Sequence, residues 1–335
     1  MANLTGTSLA AAIKSQYERR LLVRAVPRLV HGRWGTRARL NNFGSLEWRR
    51  YGSLSAVTTA LTEGTTPGEQ AAPSLTQIVA TPAWYGAFIG HTDLIDMESF
   101  DPMVSEVSGI LGEQAGVSVD TLIRNALTNG ATKDYSGGQT ARANLDSPQH
   151  DITYADVVKL IAAIEAGNAL PVEGDNFVMI MHPHTWATLM QDPVWVNLFV
   201  EETPDSPMRS GRVGRILRCV VYVSANAREY ADAGVGSTTD VYSLLVIGRE
   251  SYGVVGMAGL DPQNVDMGGT NSPNMTGAGR RASPVEIIVK SVGSAGADDP
   301  LNQRGTVAWK TAFDTKVLNA AFVYDLEHTN AFSDE

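Results

Sequence analysis

The stretch L-T-E-G-T-T-P-G-E-Q-A-A-P-S-L-T-Q, residues 61–77, decides how the chain is to be read. Pro67 and Pro73 interrupt it and Pro82 lies just beyond, so no continuous strand ladder runs through it. It offers few large apolar side chains to a core. Strand-like sequence flanks it on both sides. Residues 45–58 read S-L-E-W-R-R-Y-G-S-L-S-A-V-T, and residues 75–92 return with Leu75, Ile78, Val79, Trp84, Tyr85, Phe88 and Ile89. The pattern predicts a long hairpin that buries little within its own chain. A connection longer than about 12–15 residues without its own core is usually functional or disordered.

The 335 residues suffice for two or more compact units. Charged residues make up 19% of the chain, below the roughly 25% of soluble domains, which fits surface consumed by contacts as well as a large globule. The charge is unevenly placed. Residues 1–50 carry Lys14 and nine arginines against Glu18 and Glu47; the remainder carries sixteen basic and thirty-four acidic side chains. A basic arm on an acidic body suits three partners: nucleic acid, the acidic body of a neighbouring copy, or water alone. The single Cys219 excludes an internal disulfide and, in the run I-L-R-C-V-V-Y-V, packs as a small hydrophobe. The early apolar run Leu21-Leu22-Val23 is broken by Arg24, so no signal peptide is expected. Gln70–Thr92 is free of Asp, Glu, Lys and Arg, yet Pro73, Pro82, Gly86 and Gly90 make it strands, not a membrane span.

Leu9, Ile13, Tyr17 and Leu21 predict a helix over 8–26, stopped by Pro27. The clearest element is a helix over 101–129, opened by Asp101-Pro102 and closed by Gly130, with Val104, Val107, Leu111, Ala115, Val119, Ile123 and Leu127 at helical spacing. Gly109, Gly112 and Gly116 inside it cost about 1 kcal/mol each and imply close backbone approach or a bend. Residues 133–149 read as a polar loop. A helix over 153–166 follows, with Thr153 and Asp156 spaced as a capping box and Gly167 as its stop. Strands are expected at 177–181, 216–224, 241–248 and 285–290, a short helix after Pro183, a Gly/Asn/Met-rich loop at 256–283 and one long closing strand from 306 to 328. Helices mixed with apolar strands make an α+β body.

No sequence motif supports catalysis. His182-Pro183-His184 lacks a third ligand, and is read as a strand end and a turn cap. Asp298-Asp299 reads as a solvated turn, and Glu201-Glu202 has no visible partner. There is no H-E-x-x-H, G-x-S-x-G, phosphate-loop or dinucleotide fingerprint. No cofactor, metal or catalytic residue is expected. The arginines fit no zinc-finger, helix-turn-helix or RNA-binding pattern.

The order of parts resembles the major capsid proteins of tailed bacteriophages with the Hong Kong 97-type shell fold, and within them the branch of coliphage N-four. The residues that carry the resemblance are Y-E-R-R-L-L-V-R-A-V-P-R-L-V-H-G-R-W-G (17–35), E-W-R-R-Y-G-S-L (47–54), L-T-E-G-T-T-P (61–67), L-G-E-Q-A-G (111–116), V-Y-S-L-L-V-I-G-R-E-S-Y-G-V-V (241–255) and G-S-A-G-A-D-D-P-L-N-Q-R-G-T-V-A-W-K (293–310). The resemblance implies an N-terminal arm (1–35), an extended hairpin called the E-loop (36–82), and a peripheral domain (83–150) with a spine helix at 101–129. An axial domain (151–283) and a return to the peripheral domain (284–335) complete it. It implies subunits that gather into pentamers and hexamers of an icosahedral shell around double-stranded DNA, without sequence-specific binding. Inter-subunit contact then falls to Tyr17, Arg19, Arg20, Arg24, Arg28, Arg33, Trp34, Trp48, Arg49, Arg50, Glu63 and Glu69. Scaffolding, portal and decoration proteins are the other partners it implies; the location is the virion, assembled in the host cytoplasm, with no membrane. Some relatives weld their shells through an E-loop lysine. Residues 36–82 contain none, so a non-covalent shell is expected, and matches beginning at Tyr17 leave little room for a removed leader segment. Loop 256–283 suits a decoration site, an ornament or an inter-subunit strap. An encapsulin-like nanocompartment, a soluble enzyme and a nucleic-acid-binding module remain the competing readings.

Overall fold

A computed structural model describes residues 30–40, 44–66, 68–98, 103–194, 215–257, 285–294 and 299–333. The predicted helix over 8–26, Glu201-Glu202 and most of loop 256–283 lie outside the described residues.

Two sheets share one long helix. The first sheet contains β1 (Thr36–Leu40), β4 (Ala83–Thr92), β11 (Tyr252–Met257), β12 (Glu286–Lys290) and β13 (Arg304–Val317). β13 is its spine. β4 pairs antiparallel with it from Arg304↔Thr92 to Phe313↔Ala83, and the opposite edge takes β12 and then β11. β1 adds to β11 in parallel. The second sheet runs β5 (Thr132–Tyr135), β14 (Val323–His328), β10 (Val241–Ile247), β6 (Phe177–Met181), β8 (Cys219–Val223) and β7 (Arg215–Ile216), with β9 (Glu229–Tyr230) also on β10. β2 (Leu46–Tyr51) and β3 (Leu75–Ala80) form a separate hairpin.

Strands buried on both faces read as unbroken apolar runs. In β6, Phe177, Met179 and Met181 face one core while Val178 and Ile180 face another. In β10, Leu244 and Val246 share the first core, Leu245 and Ile247 the second. The first core is closed by α3 (Tyr154–Ala166) through Val157, Leu160, Ile161 and Ile164, and by Leu189 of α4 (Pro183–Gln191). The capping box at Thr153 and Asp156 is formed. Cys219 is buried, and burial pushes its thiol up to about 12, so it stays protonated.

The second core belongs to α2 (Met103–Gly130), preceded by the short α1 (Asp93–Glu98). Its buried apolar positions are Leu111, Ala115, Val119, Ile123 and Leu127, each four residues from the last. Four residues turn a helix by about 40° beyond a full circle, so this row rotates by roughly 160° along its length. Leu111 and Ala115 therefore face Ile287, Val307 and Trp309 of the first sheet. Val119, Ile123 and Leu127 reach Val178, Ile180, Leu245 and Ile247 of the second, with Val254 and Phe313 of the first. Gly109, Gly112 and Gly116 are all buried.

Several expectations are corrected. The single closing strand is two, because the chain leaves β13 at Leu318 and rejoins the other sheet as β14 after Asn319–Phe322. The outgoing crossing at residues 248–251 is bonded to this one: Leu318 N–H donates to Ser251 O (2.7 Å) and Gly248 N–H to Phe322 O (2.8 Å). β11 lies in the first sheet, and β14 and β5 in the second. β5 also replaces the start of the polar loop at 133–149. The strand-like sequence over 75–92 is two strands, β3 and β4, parted at Thr81-Pro82 and joined to different sheets. His182, not His184, is the cap: its Nδ1 accepts the His184 N–H at 3.2 Å. Asp299 is buried, accepting the Arg304 N–H at 2.7 Å, and is not a solvated turn residue.

Two charged side chains of β14 sit fully buried. Asp325 accepts from Lys133 and Ser243, and Glu327 from Lys133 (2.6 Å) and bidentately from Arg142 (2.7 Å each). Burial works against the charge of Glu327, but the Arg142 and Lys133 hydrogen bonds prevail and hold its carboxyl below the ordinary range. Burial wins at Asp325, whose carboxyl is pushed up.

Ile123→Ala removes the centre of the row on α2 and is expected to cost about 3 kcal/mol in urea unfolding of the soluble subunit; Thr153→Ala loses the cap and costs about 1 kcal/mol. His328 is fully buried, and burial lowers its pKa from the ordinary 6.5 to about 4. Between those values the unfolded chain binds the extra proton, so stability falls as pH drops from 6.5 to 4 and levels below, by about 3 kcal/mol from this group. His328→Gln should flatten that part of the stability-against-pH curve; an unchanged slope would assign the loss to other groups.

Candidate assembly interface

The hairpin is anchored at its base and bare at its tip. Leu46↔Ala80 and Trp48↔Ile78 are directly opposed in β2 and β3. Ala80 is buried with Leu40 and Val255, and Leu46 and Trp48 pack on them. The Trp48 ring lies so close to Gly253 that a Cβ there would come within 2.5 Å of it, so glycine is what lets the indole seat on β11. Thr81 N–H donates to Asp314 Oδ2 at 2.9 Å, tying the returning strand to β13.

Beyond Tyr51 this support ends. Gly52 N–H donates to Ser74 O (2.7 Å), closing the ladder, and Gly64 turns the tip with φ 75°. Every described residue from Ser53 to Gln77 is exposed. Among them are Leu54, Val57, Leu61 and Leu75, with Leu61 at 77% and neighbouring Tyr51 at 68%. Burying a large apolar side chain is worth about 1.5–3 kcal/mol, and none of these five gains it from the described residues. A second exposed apolar patch lies on β4, where Trp84 and Phe88 (72% exposed) stand four residues apart on one face with Lys310 Nζ 4.9 Å from the Trp84 ring centre.

The end of the arm is seated on the body. Asp120, on α2, is fully buried and accepts four hydrogen bonds: Val30 N–H (2.9 Å) and His31 N–H (2.8 Å) at Oδ1, Asn226 Nδ2 (2.7 Å) and the His31 ring (Nδ1, 2.8 Å) at Oδ2. Burial raises its carboxyl, but the His31 contacts outweigh it and hold the pKa low. Tyr252 donates to His31 O at 2.5 Å. Trp34 Nε1 donates to Glu173 (2.7 Å), whose carboxylate also accepts from Tyr222, and the two rings pack 4.7 Å apart under the Arg33 guanidinium.

The expected contact residues therefore separate. Tyr17, Arg19, Arg20, Arg24 and Arg28 lie outside the described residues. Arg33, Trp34 and Trp48 make intrachain contacts, so in this subunit they fasten the arm and hairpin. Arg49 pairs with Glu47 at 2.5 Å on the exposed face; Arg50, Glu63 and Glu69 are exposed along the hairpin. Asp120, Glu173 and Tyr252 are positioning residues that sequence reading missed. The available signal was a lone carboxylate, Asp120, inside the apolar helical row. Among the described residues no group of three or more His, Cys, Asp or Glu is placed to hold a metal ion, and no helix is long and apolar enough to cross a membrane.

Solved structures resemble this architecture over nearly its whole length. The cyanophage Pam1 capsid asymmetric unit aligns with a TM-score of 0.65 at 16% identity, covering 92% of each chain. The capsid of Ralstonia phage GP4 gives 0.61 at 14%, covering 90% of this chain and 88% of that one. The acidic stable capsid of Helicobacter pylori bacteriophage KHP30 gives 0.58 at 11%, covering 90% and 89%. No curated protein sequence matches the chain. The phage capsid protein family profile matches residues 75–326, from the returning strand of the hairpin to β14. With the spine helix spanning two sheets and an extended hairpin held only at its root, the chain belongs to the phage capsid protein family and has the Hong Kong 97-type fold.

Proposed function

We propose that this chain closes into an icosahedral shell by laying its hairpin across a neighbouring copy, in pentamers and hexamers that enclose double-stranded DNA. The observation that carries this is the bare tip: Leu54, Val57, Leu61 and Leu75 exposed together on a hairpin whose root is firmly packed. Such a segment has its missing core in another molecule, and heterologous contacts that close by rotation make rings. Obligate contacts of this kind bury on the order of 2,000 Å² or more. The basic arm, with Tyr17, Arg19, Arg20, Arg24 and Arg28, is the second contact element, set against a body with twice as many acidic as basic side chains. Arg50, Glu63 and Glu69 lie on the hairpin and complete the contact set. The subunit works in the virion, after assembly in the host cytoplasm with scaffolding and portal proteins. The six sequence stretches that resemble the coliphage N-four branch support placing it there. The peripheral domain is the first sheet with α2, and the axial domain is the second sheet with α3 and α4.

Negative-stain electron microscopy of the purified chain, with a scaffolding partner supplied if needed, tests the reading: uniform closed shells are expected, and small oligomers under both conditions overturn it. Val57→Glu with Leu61→Glu should abolish shells while shifting the subunit's Tm by no more than about 2 °C, since both side chains are exposed and surface changes cost little. Assembly at the wild-type level would remove the hairpin from the contact. Because residues 36–82 contain no lysine, this subunit should run from mature particles as one band of single-chain size on a denaturing gel; a ladder of linked species counts against a non-covalent shell.

A further inference from the structure

Lys133 and Asp325 are held side by side by the backbone. They are register partners on the adjacent parallel strands β5 and β14, and Lys133 Nζ donates to Asp325 Oδ2. Glu327, two residues on and so on the same face of β14, accepts from the same Nζ at 2.6 Å. Ser243 of β10 donates to the other oxygen of Asp325, Oδ1. The side chains of Asp325 and Glu327 are wholly out of water, while that of Lys133 is 26% exposed. Tyr230 roofs the site, its ring covered by Arg142 at 3.4 Å, Arg228 at 4.7 Å and Lys133 at 5.8 Å. Arg142 is engaged bidentately by Glu327, at 2.7 Å each, and Arg228 shares Asn125 Oδ1 with Arg124, at 2.6 and 3.2 Å.

The two carboxyls around the lysine are driven apart. Burial pushes Asp325 up, toward the neutral acid. Burial opposes the charge of Glu327 as well, but the Arg142 and Lys133 hydrogen bonds outweigh it and keep that group a carboxylate. Burial also works against the Lys133 charge, and Asp325 and Glu327 outweigh it, so the resting pair is ionic. Opposed shifts on neighbouring carboxyls separate an acid from a base within one site. A neutral carboxyl is the form an amine attacks, and a carboxylate is the form that takes its proton.

We propose that Lys133 and Asp325 condense to an isopeptide bond within the chain. The resting pair first passes one proton from Nζ to Asp325 Oδ2, which leaves the net charge of the site unchanged. The free amine attacks Asp325 Cγ, and Ser243 donates to Oδ1 as negative charge gathers there. Glu327 takes the next proton from Nζ and delivers it to Oδ2, which departs as water. The Nζ–Cγ bond forms and the Cγ–Oδ2 bond breaks; one ammonium and one carboxylate become one amide and one water, with nothing oxidised or reduced. Strand pairing supplies the orientation, and well-placed intramolecular groups reach effective molarities on the order of 10⁵ M or more. The dry surroundings of Asp325 protect the amide from hydrolysis, and the exposed flank of Lys133 lets the water leave. The bond welds β5 to β14 and encloses β6–β10, α3 and α4 in one covalent loop. It is internal to one chain, so it adds no linked subunits to a denaturing gel.

Intact mass of the purified full chain, sampled at intervals after synthesis, tests the bond. The wild type is expected to become lighter than its sequence by one water, and its digest to contain a branched peptide joining Lys133 to Asp325. Lys133→Arg keeps the positive charge but lacks the nucleophile, and should hold the full mass of its sequence. Glu327→Gln should slow the loss of water by about a hundredfold or more, the contribution of a positioned base. A wild-type chain that keeps its full mass overturns the proposal in favour of an ion pair, whether or not any variant folds. A water loss that persists in Lys133→Arg, or one without the branched peptide, overturns it as well. Condensation of Glu327→Gln at the wild-type rate overturns the role given to Glu327.

Discussion

The rotation of the buried row along α2 is the constraint on which the subunit depends. One helix must satisfy two sheets, and it does so because its apolar side chains recur every fourth residue, a spacing that turns slowly around the helix axis. Had the row followed a seven-residue repeat, it would have kept to one face and left Ile123 and Leu127 turned away from the second sheet. The same helix carries Asp120 on its buried side, so the point at which the N-terminal arm leaves the body is set by helix phase. The two chain crossings between sheets, at 248–251 and 318–322, bond to each other and secure the junction that α2 spans. Sheets, arm and hairpin root thus take their positions from one rigid part.

That rigidity explains why the hairpin is left incomplete. Trp48, Leu46 and Ala80 fix its direction at the root, and beyond Gly52 none of the described residues buries it. A fixed root with a bare tip restricts where the apolar side chains can be presented while leaving the tip free to adjust to the partner. Ordering it costs conformational entropy, so the gain from burying its leucines and valines is only partly realised as affinity. Modest individual contacts suit a closed assembly, where each subunit is held by several neighbours at once and effective concentration multiplies weak contacts.

Much of this was legible in the sequence, and the exceptions have physical causes. α2, the capping box on α3 and the doubly buried strands declare themselves through long periodic or wholly apolar runs. The stretch 306–328 read as one strand because V-L-N-A-A-F preserves apolar content through the crossing, and only the switch of partner sheets separates β13 from β14. A short strand such as β11 carries no mark of which sheet it joins. The intrachain seat of Arg33 and Trp34 was not legible because a basic, aromatic segment looks alike whether it grips a neighbour or, through Glu173 and Tyr222, its own chain. The space Gly253 leaves for the Trp48 ring is invisible without the partner in view.

Charge follows a similar division between what the chain completes itself and what it leaves open. Asp325 and Glu327 show that this body can bury carboxylates when lysine and arginine meet them with full hydrogen bonding, since an unpaired buried ion is prohibitively costly. Against that standard Arg124 and Arg228, sharing an asparagine oxygen, are under-satisfied in the same way that Leu61 is under-buried. An isolated subunit tolerates both because the arginines are only half-buried and the leucine lies in water.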